Sequence, residues 1–303
     1  MSFEQLLEFE LNGKYPIFIN DVPAAIEKVR HYMSPKFLDE YVDTYNSSKD
    51  LFGDSIRFTP PVELLIAGNN LISLEVTQNK YVVDKVKKKF KQIRLVDSQL
   101  SDLLAEVFVA EIFGLEYEII LDHPTGIKTN NGSKDGDIYI PKLGVYIEVK
   151  NYQFGKSKAQ KQLGNITNKL FSNPNSAGKQ FQIEKSKGRP NIVQIGTQNN
   201  GSSISMHSHT PLPQYKQMIR SAEGKFSDAH KAILVLTGVY VLPAAIKAVQ
   251  DWHTPKIKEN PIKSVVIFER LQAETYKRTL SLIELEDDDI IDGTLKSTGL
   301  NLS

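Results

Sequence analysis

Asp137 opens one apolar run, "DIYIP", and Glu148 and Lys150 stand inside the next, "GVYIEVKN". Strand interiors facing a core usually hold Val, Ile, Phe and Tyr, so a carboxylate and an ammonium two residues apart call for a reason. Side chains at i and i+2 of a strand share a face, which predicts Glu148 and Lys150 side by side. Asp137 can reach the same spot from the neighbouring strand. Two carboxylates and an ammonium at one point are the parts that phosphodiester hydrolysis asks for. Acidic oxygens hold a cation on the scissile phosphate, and a further group orients or deprotonates the attacking water. The spacing D-x10-E-x-K is short, and an exposed edge strand with a Glu148–Lys150 surface ion pair would carry it too.

The elements around these residues give the pattern its weight. "SQLSDLLAEVFVAEIFG" predicts a helix capped by Ser98 or Ser101 and ending at Gly114, apolar almost all round and therefore buried. "YEIIL" follows as a strand, then a Gly/Asn-rich loop, "GIKTNNGSKDG", in which Asp135 reads as a turn residue. The two strands bearing Asp137 and Glu148 are joined by a short Lys-Leu-Gly turn. "SKAQKQLGNITNKLF" predicts a helix, "NIVQIGTQ" a strand, "NNGSSISMHSHTPLP" a mobile loop and "KAILVLTG" a buried strand. A helix ("LPAAIKAVQDW") and two strands ("SVVIFE", "TLSLIEL") complete the chain before an aperiodic tail.

Upstream, "DVPAAIEKVRHYM" and "SPKFLDEYVDTY" predict helices started by Asp21 and by Ser34-Pro35. "PVELLIAGNNLISLEVT" reads as two β-rich runs around Gly68-Asn69-Asn70, a hairpin signal. "YVVDKVKKKFKQI" predicts a basic helix. The resulting division is an N-terminal α+β region over 1–95, for recognition or dimerisation. A core follows over 96–250 with a long insert near 172–230, and then a β-rich extension over 251–303 with a disordered tail.

The order helix, strand, strand with Asp137, strand with Glu148-x-Lys150, helix resembles the core of the PD-(D/E)xK nuclease superfamily. Gly136 stands where that pattern has Pro. The resemblance covers roughly residues 98 to 240 and implies an α/β, restriction-endonuclease-like mixed β-sheet flanked by helices. It implies Asp137, Glu148 and the Val149 carbonyl as ligands of Mg²⁺, with Mn²⁺ as a substitute, and Lys150 as the group acting on water. Glu106 matches the upstream carboxylate of many members. Glu111 interrupts the same helix about 140° away, so only one of the two can face the site. The implied activity is a metal-dependent endonuclease on DNA, of restriction or phage-defence type. A structure-specific repair or recombination nuclease, an RNA nuclease and a non-catalytic nucleic-acid-binding protein are the rival readings.

Charge distribution suits a polyanion partner. The chain has 303 residues and a net charge of +1, yet "KVKKKFKQIR", "GKSKAQKQ" and "KSKGR" are locally basic. Lys87, Lys88 and Lys89 on one helix, and Lys156, Lys158, Lys161 and Gln160 after the Glu-x-Lys strand, are the expected phosphate contacts. Each run could equally be solvated surface. His-x-His in "MHSH" carries little weight as a metal motif. Cys is absent, which excludes disulfides and thiolate metal sites. No basic n-region precedes an apolar stretch, and no apolar run approaches roughly 18 residues, so a cytoplasmic protein without a membrane partner is expected. Cutting both strands of a duplex implies a homodimer, and a restriction or defence role implies a methyltransferase or other defence protein as associate.

Overall fold

The structure is a computed structural model, and it describes residues 1–16, 18–52, 59–93, 97–129, 132–152, 181–185, 192–197, 203–207, 211–238, 242–252, 260–269 and 279–284. Among the described residues five helices come first: α1 (Phe3–Leu11), α2 (Val22–Tyr32), α3 (Pro35–Phe52), α4 (Pro61–Thr77) and α5 (Lys80–Gln92). The expected starts hold: the Asp21 carboxylate accepts from the Ala24 N–H at 2.9 Å and Ser34 Oγ from the Phe37 N–H at 3.2 Å.

The hairpin expected around Gly68-Asn69-Asn70 is instead the middle of α4, and among the described residues the N-terminal region holds helices alone. Pro61, Val62, Glu63, Leu64, Leu65, Ile66, Ala67, Gly68, Asn70, Leu71 and Leu74 are all buried. A helix apolar on nearly every side lacks the 3.6-residue stripe that would have identified it. Gly68 is there for packing. A Cβ on it would lie 2.2 Å from the Ala25 carbonyl oxygen of α2, so α2 and α4 approach backbone to backbone. Gly→Ala inside a helix normally stabilises by about 1 kcal/mol. Here the sign reverses, and Gly68→Ala is expected to cost about 1–3 kcal/mol in urea unfolding. A neutral or stabilised variant would show that the two helices can part freely.

α6 (Asp97–Gly114) then enters the centre of the molecule. It starts before Ser98 and Ser101, so neither is its cap. The main sheet runs β1 (Ile120–Thr129), β2 (Gly132–Ile140), β3 (Val145–Asn151), β7 (Lys231–Gly238), β8 (Ile262–Glu269), β9 (Thr279–Glu284) in space. The β3–β7 and β7–β8 pairs are parallel and the others antiparallel, so the sheet is mixed, as expected for an α/β fold. β1 continues through His123-Pro124-Thr125-Gly126 with a register shift, so much of the predicted Gly/Asn loop is strand; Asp135 pairs with Pro124 inside β2. A second, antiparallel sheet joins β4 (Phe181–Lys185), β5 (Ile192–Thr197) and β6 (Ser203–His207). β6 lies within the segment predicted as a mobile loop.

Helices cover both faces of the main sheet. Ile138, Ile140, Val145, Ile147 and Val149 point into a core shared with α6 and the N-terminal helices, which runs without a break from Phe3 to Val266. Tyr146, Leu234 and Leu236 point the other way, onto α7 (Pro211–Glu223) and α8 (Leu242–Trp252). Glu148, in phase with Tyr146, therefore belongs to the α7 face. Among the described residues no helix is long and apolar enough to cross a membrane.

Candidate functional site

The β2–β3 ladder pairs Ile140 with Val145, Tyr139 with Tyr146 and Ile138 with Ile147. One step further on, the ladder opens. Asp137 Oδ2 there accepts a hydrogen bond from the Val149 N–H at 2.7 Å, so a side chain satisfies an N–H where β3 leaves β2. Gly136 makes room for this geometry, since a Cβ on it would come within 2.7 Å of the Tyr146 ring. Tyr146 is held by Tyr139 at 4.6 Å, Phe226 at 5.5 Å and a hydrogen bond from its hydroxyl to the Pro124 carbonyl at 3.0 Å.

Glu148 is fully buried. Its Oε1 accepts from Lys150 Nζ, as the i, i+2 spacing predicts. A second ammonium reaches it from 77 residues away: Lys225 Nζ lies 2.7 Å from Glu148 Oε1, 2.9 Å from Oε2 and 3.3 Å from Asp137 Oδ1. Asp137, Glu148 and Lys150 thus meet on one side of the sheet, and Lys225 completes the cluster. No sequence pattern singled Lys225 out; it follows the end of α7, and only the packing of α7 on the sheet brings it in. Of Val149, the group seen to touch the cluster is the N–H that binds Asp137.

Glu106 approaches from α6, close enough for Asp137 to act on its charge. Its partner is Lys89 of α5 at 2.6 Å, and Lys89 also binds Asp122 at 2.7 Å. Lys89, expected to meet phosphate at the surface, is turned inward. α5 buries Val82, Val86 and Phe90, and Lys85 and Lys89 lie on the flank of that stripe facing α6 and β1. Lys87 is directed to Glu75 at 3.9 Å and lies over the Tyr32 ring. Lys88 is exposed. Lys156, Lys158, Gln160 and Lys161 lie outside the described residues. Asn151, at the end of β3, donates to Ser101 Oγ at 2.9 Å and Asp102 Oδ1 at 3.1 Å, tying the Glu-x-Lys strand to α6. His123 stacks on Tyr139 at 4.3 Å.

The electrostatics record the crowding of carboxylates. Burial, with Asp137 alongside, pushes the Glu148 carboxyl up to about 7 against the pull of Lys150 and Lys225. Burial also lifts Glu106 to about 7, with Lys89 opposing and Asp137 and Asp122 assisting. Burial works to lower the Lys89 ammonium, but Glu106 and Asp122 outweigh it and raise it to about 12. Between the ordinary carboxyl value of 4.5 and about 7, the folded chain keeps protons on Glu106 and Glu148 that the unfolded chain has lost. Stability in EDTA should therefore fall as pH rises through that window and level off above it. Glu148→Gln should flatten the fall by on the order of 2–3 kcal/mol. Urea unfolding across the window checks this, and parallel curves for the two proteins would contradict it.

Comparison with protein-family models, with curated proteins and with solved structures finds no match for the chain. Among the described residues, no group of three His, Asp or Glu side chains is placed to hold one ion. Two carboxylates that converge on one ammonium are nonetheless a donor set that suits a hard cation keeping much of its water.

Proposed function

We propose that the chain is a metal-dependent endonuclease that hydrolyses DNA phosphodiester bonds, of restriction or phage-defence type, on a restriction-endonuclease-like sheet. The observation that carries this reading is the meeting of the Asp137 and Glu148 carboxylates around one cationic point, with Lys150 on the same Glu148 oxygen. Asp137 and Glu148 would hold Mg²⁺, or Mn²⁺ in its place, through hard oxygen ligands. When bound, such an ion withdraws charge from the scissile phosphate.

The chain's own residues do the rest. Asp137 is fixed by the Val149 N–H, and Asn151 fixes the end of the same strand to α6. Lys150 shares its face with Glu148 and keeps 19% of its side-chain surface open, so it can donate to an attacking water or to the phosphate oxygens. Glu106, a carboxyl raised to about 7 behind Asp137, can hold or release a proton near neutral pH. Exposed Lys88, with Lys156, Lys158, Gln160 and Lys161, would meet the DNA backbone. A homodimer would place one such site on each strand of a duplex.

Offering supercoiled plasmid, single-stranded DNA and RNA with Mg²⁺ tests the reading. Cleavage of duplex DNA that ceases in EDTA is expected, with methylated plasmid spared if a methyltransferase is the associate. Cleavage of RNA alone would replace the substrate, and DNA binding without cleavage would leave a non-catalytic binding protein.

A further inference from the structure

We infer that Lys225 is the resident counter-ion of the Asp137/Glu148 pair and occupies the place the divalent cation takes, so that metal binding requires its ammonium to leave. The inference rests on the metal site proposed above and adds a residue that acts against the ion. The geometry is that of one cation among three acceptors. Lys225 Nζ has three donor hydrogens, and three carboxylate oxygens lie around it: Glu148 Oε1 at 2.7 Å, Glu148 Oε2 at 2.9 Å and Asp137 Oδ1 at 3.3 Å. A metal ion shared by Asp137 and Glu148 needs oxygens from this same set. An ammonium and a divalent cation cannot both stand within bonding distance of them, because like charges so close repel strongly in a buried setting.

The charge count points the same way. Asp137 and Glu148 carry two negative charges, and Lys150 and Lys225 carry two positive ones, so the cluster is already neutral. Adding a divalent ion with both ammoniums in place would leave two uncompensated positive charges around a fully buried carboxylate. Lys150 pairs with Glu148, whereas Lys225 bridges both carboxylates, so it is Lys225 that stands where a shared ion would. Its ammonium can leave, because its stem has four rotatable carbons. The backbone under it is pinned: the Lys225 N–H donates to the Ala222 carbonyl at 2.9 Å, and Phe226 packs on Tyr146. Its ammonium can therefore swing out without carrying the turn away. Without metal, the same ammonium keeps two adjacent carboxylates from repelling each other. Lys225 is thus a positioning residue for the apo site and a competitor for the ion.

Calorimetric titration of the full chain with Mn²⁺ at a pH of about 8 tests this. Lys225→Met should bind Mn²⁺ roughly tenfold or more tightly than the wild type, the factor for about one lost charge–charge contact. The same variant should melt lower in EDTA, and Lys225→Arg should restore the EDTA melting temperature. Equal or weaker Mn²⁺ affinity in Lys225→Met overturns the inference, and if Asp137→Asn still abolishes binding the metal site survives that failure. Absence of Mn²⁺ binding in every variant overturns both. Should Lys225→Met not fold, the wild type decides: acetylation of Lys225 by an amine-reactive ester, read by mass spectrometry, should rise several-fold with Mn²⁺. Unchanged labelling of Lys225 would sink the inference.

Discussion

Asp137→Asn and Glu148→Gln should each lower Mg²⁺-dependent DNA cleavage by a factor of 10³ or more, roughly 4 kcal/mol of transition-state stabilisation. Both substitutions keep the shape of the side chain. The amide that replaces the Asp137 carboxylate would still offer an oxygen to the Val149 N–H, and the one that replaces Glu148 would still fill a buried position, so folding should persist. Each removes one of the two charges that converge on the cation's place. Lys150→Ala should lose turnover more than affinity for DNA, because the role proposed for its ammonium is in the chemical step rather than on the distant backbone. Cleavage rates under single-turnover conditions, beside a binding isotherm in Ca²⁺, separate the two. Wild-type rates in either carboxylate variant would remove these residues from the chemistry.

Lys89→Met should destabilise the fold by on the order of 2–4 kcal/mol, while Lys88→Met should change it by less than about 0.5 kcal/mol. Lys89 stands between Glu106 at 2.6 Å and Asp122 at 2.7 Å, and its removal takes that cation from Glu106 while Asp122 keeps Lys85 at 3.4 Å. All three side chains keep about a quarter to a third of their surface open, which holds the loss below that of a fully enclosed pair. The loss should ease as pH falls through about 7, where Glu106 takes up its proton. Exposed Lys88 is the residue whose neutralisation should reduce the salt slope of DNA binding, by up to about 0.9. Urea unfolding of the two variants, with DNA binding at several salt concentrations, checks both halves. Equal stability losses would mean that Lys89 is as solvated as its neighbour.

Much of the site was legible because local rules govern it. The i, i+2 rule places Lys150 on Glu148, and the short turn at residues 141–144 brings Asp137 opposite. Alternating and continuous apolar runs mark β3 and β7. Caps at Asp21 and Ser34 mark α2 and α3. What escaped was set by packing at a distance. Gly68-Asn69-Asn70 has turn chemistry, but burial on every side and close contact with Ala25 make it helix. "KVKKKFK" reads as a surface run meeting phosphate or water, yet Lys85 and Lys89, four residues apart beside the Val82/Val86/Phe90 stripe, share one flank of α5. That spacing was the available signal. For Lys225 there was none, since it and Asp137 are 88 residues apart and meet only because α7 lies across the sheet. The basic segment after Tyr152 lies outside the described residues.

Asp137 and Glu148 are proposed to share one divalent cation. Anomalous diffraction from crystals grown with Mn²⁺ measures this directly. A single peak at roughly 2 Å from an oxygen of each carboxylate is expected, with Lys225 Nζ moved out of the place it holds between them. A peak elsewhere, or none with Lys225 still bridging Asp137 and Glu148, would contradict the claim.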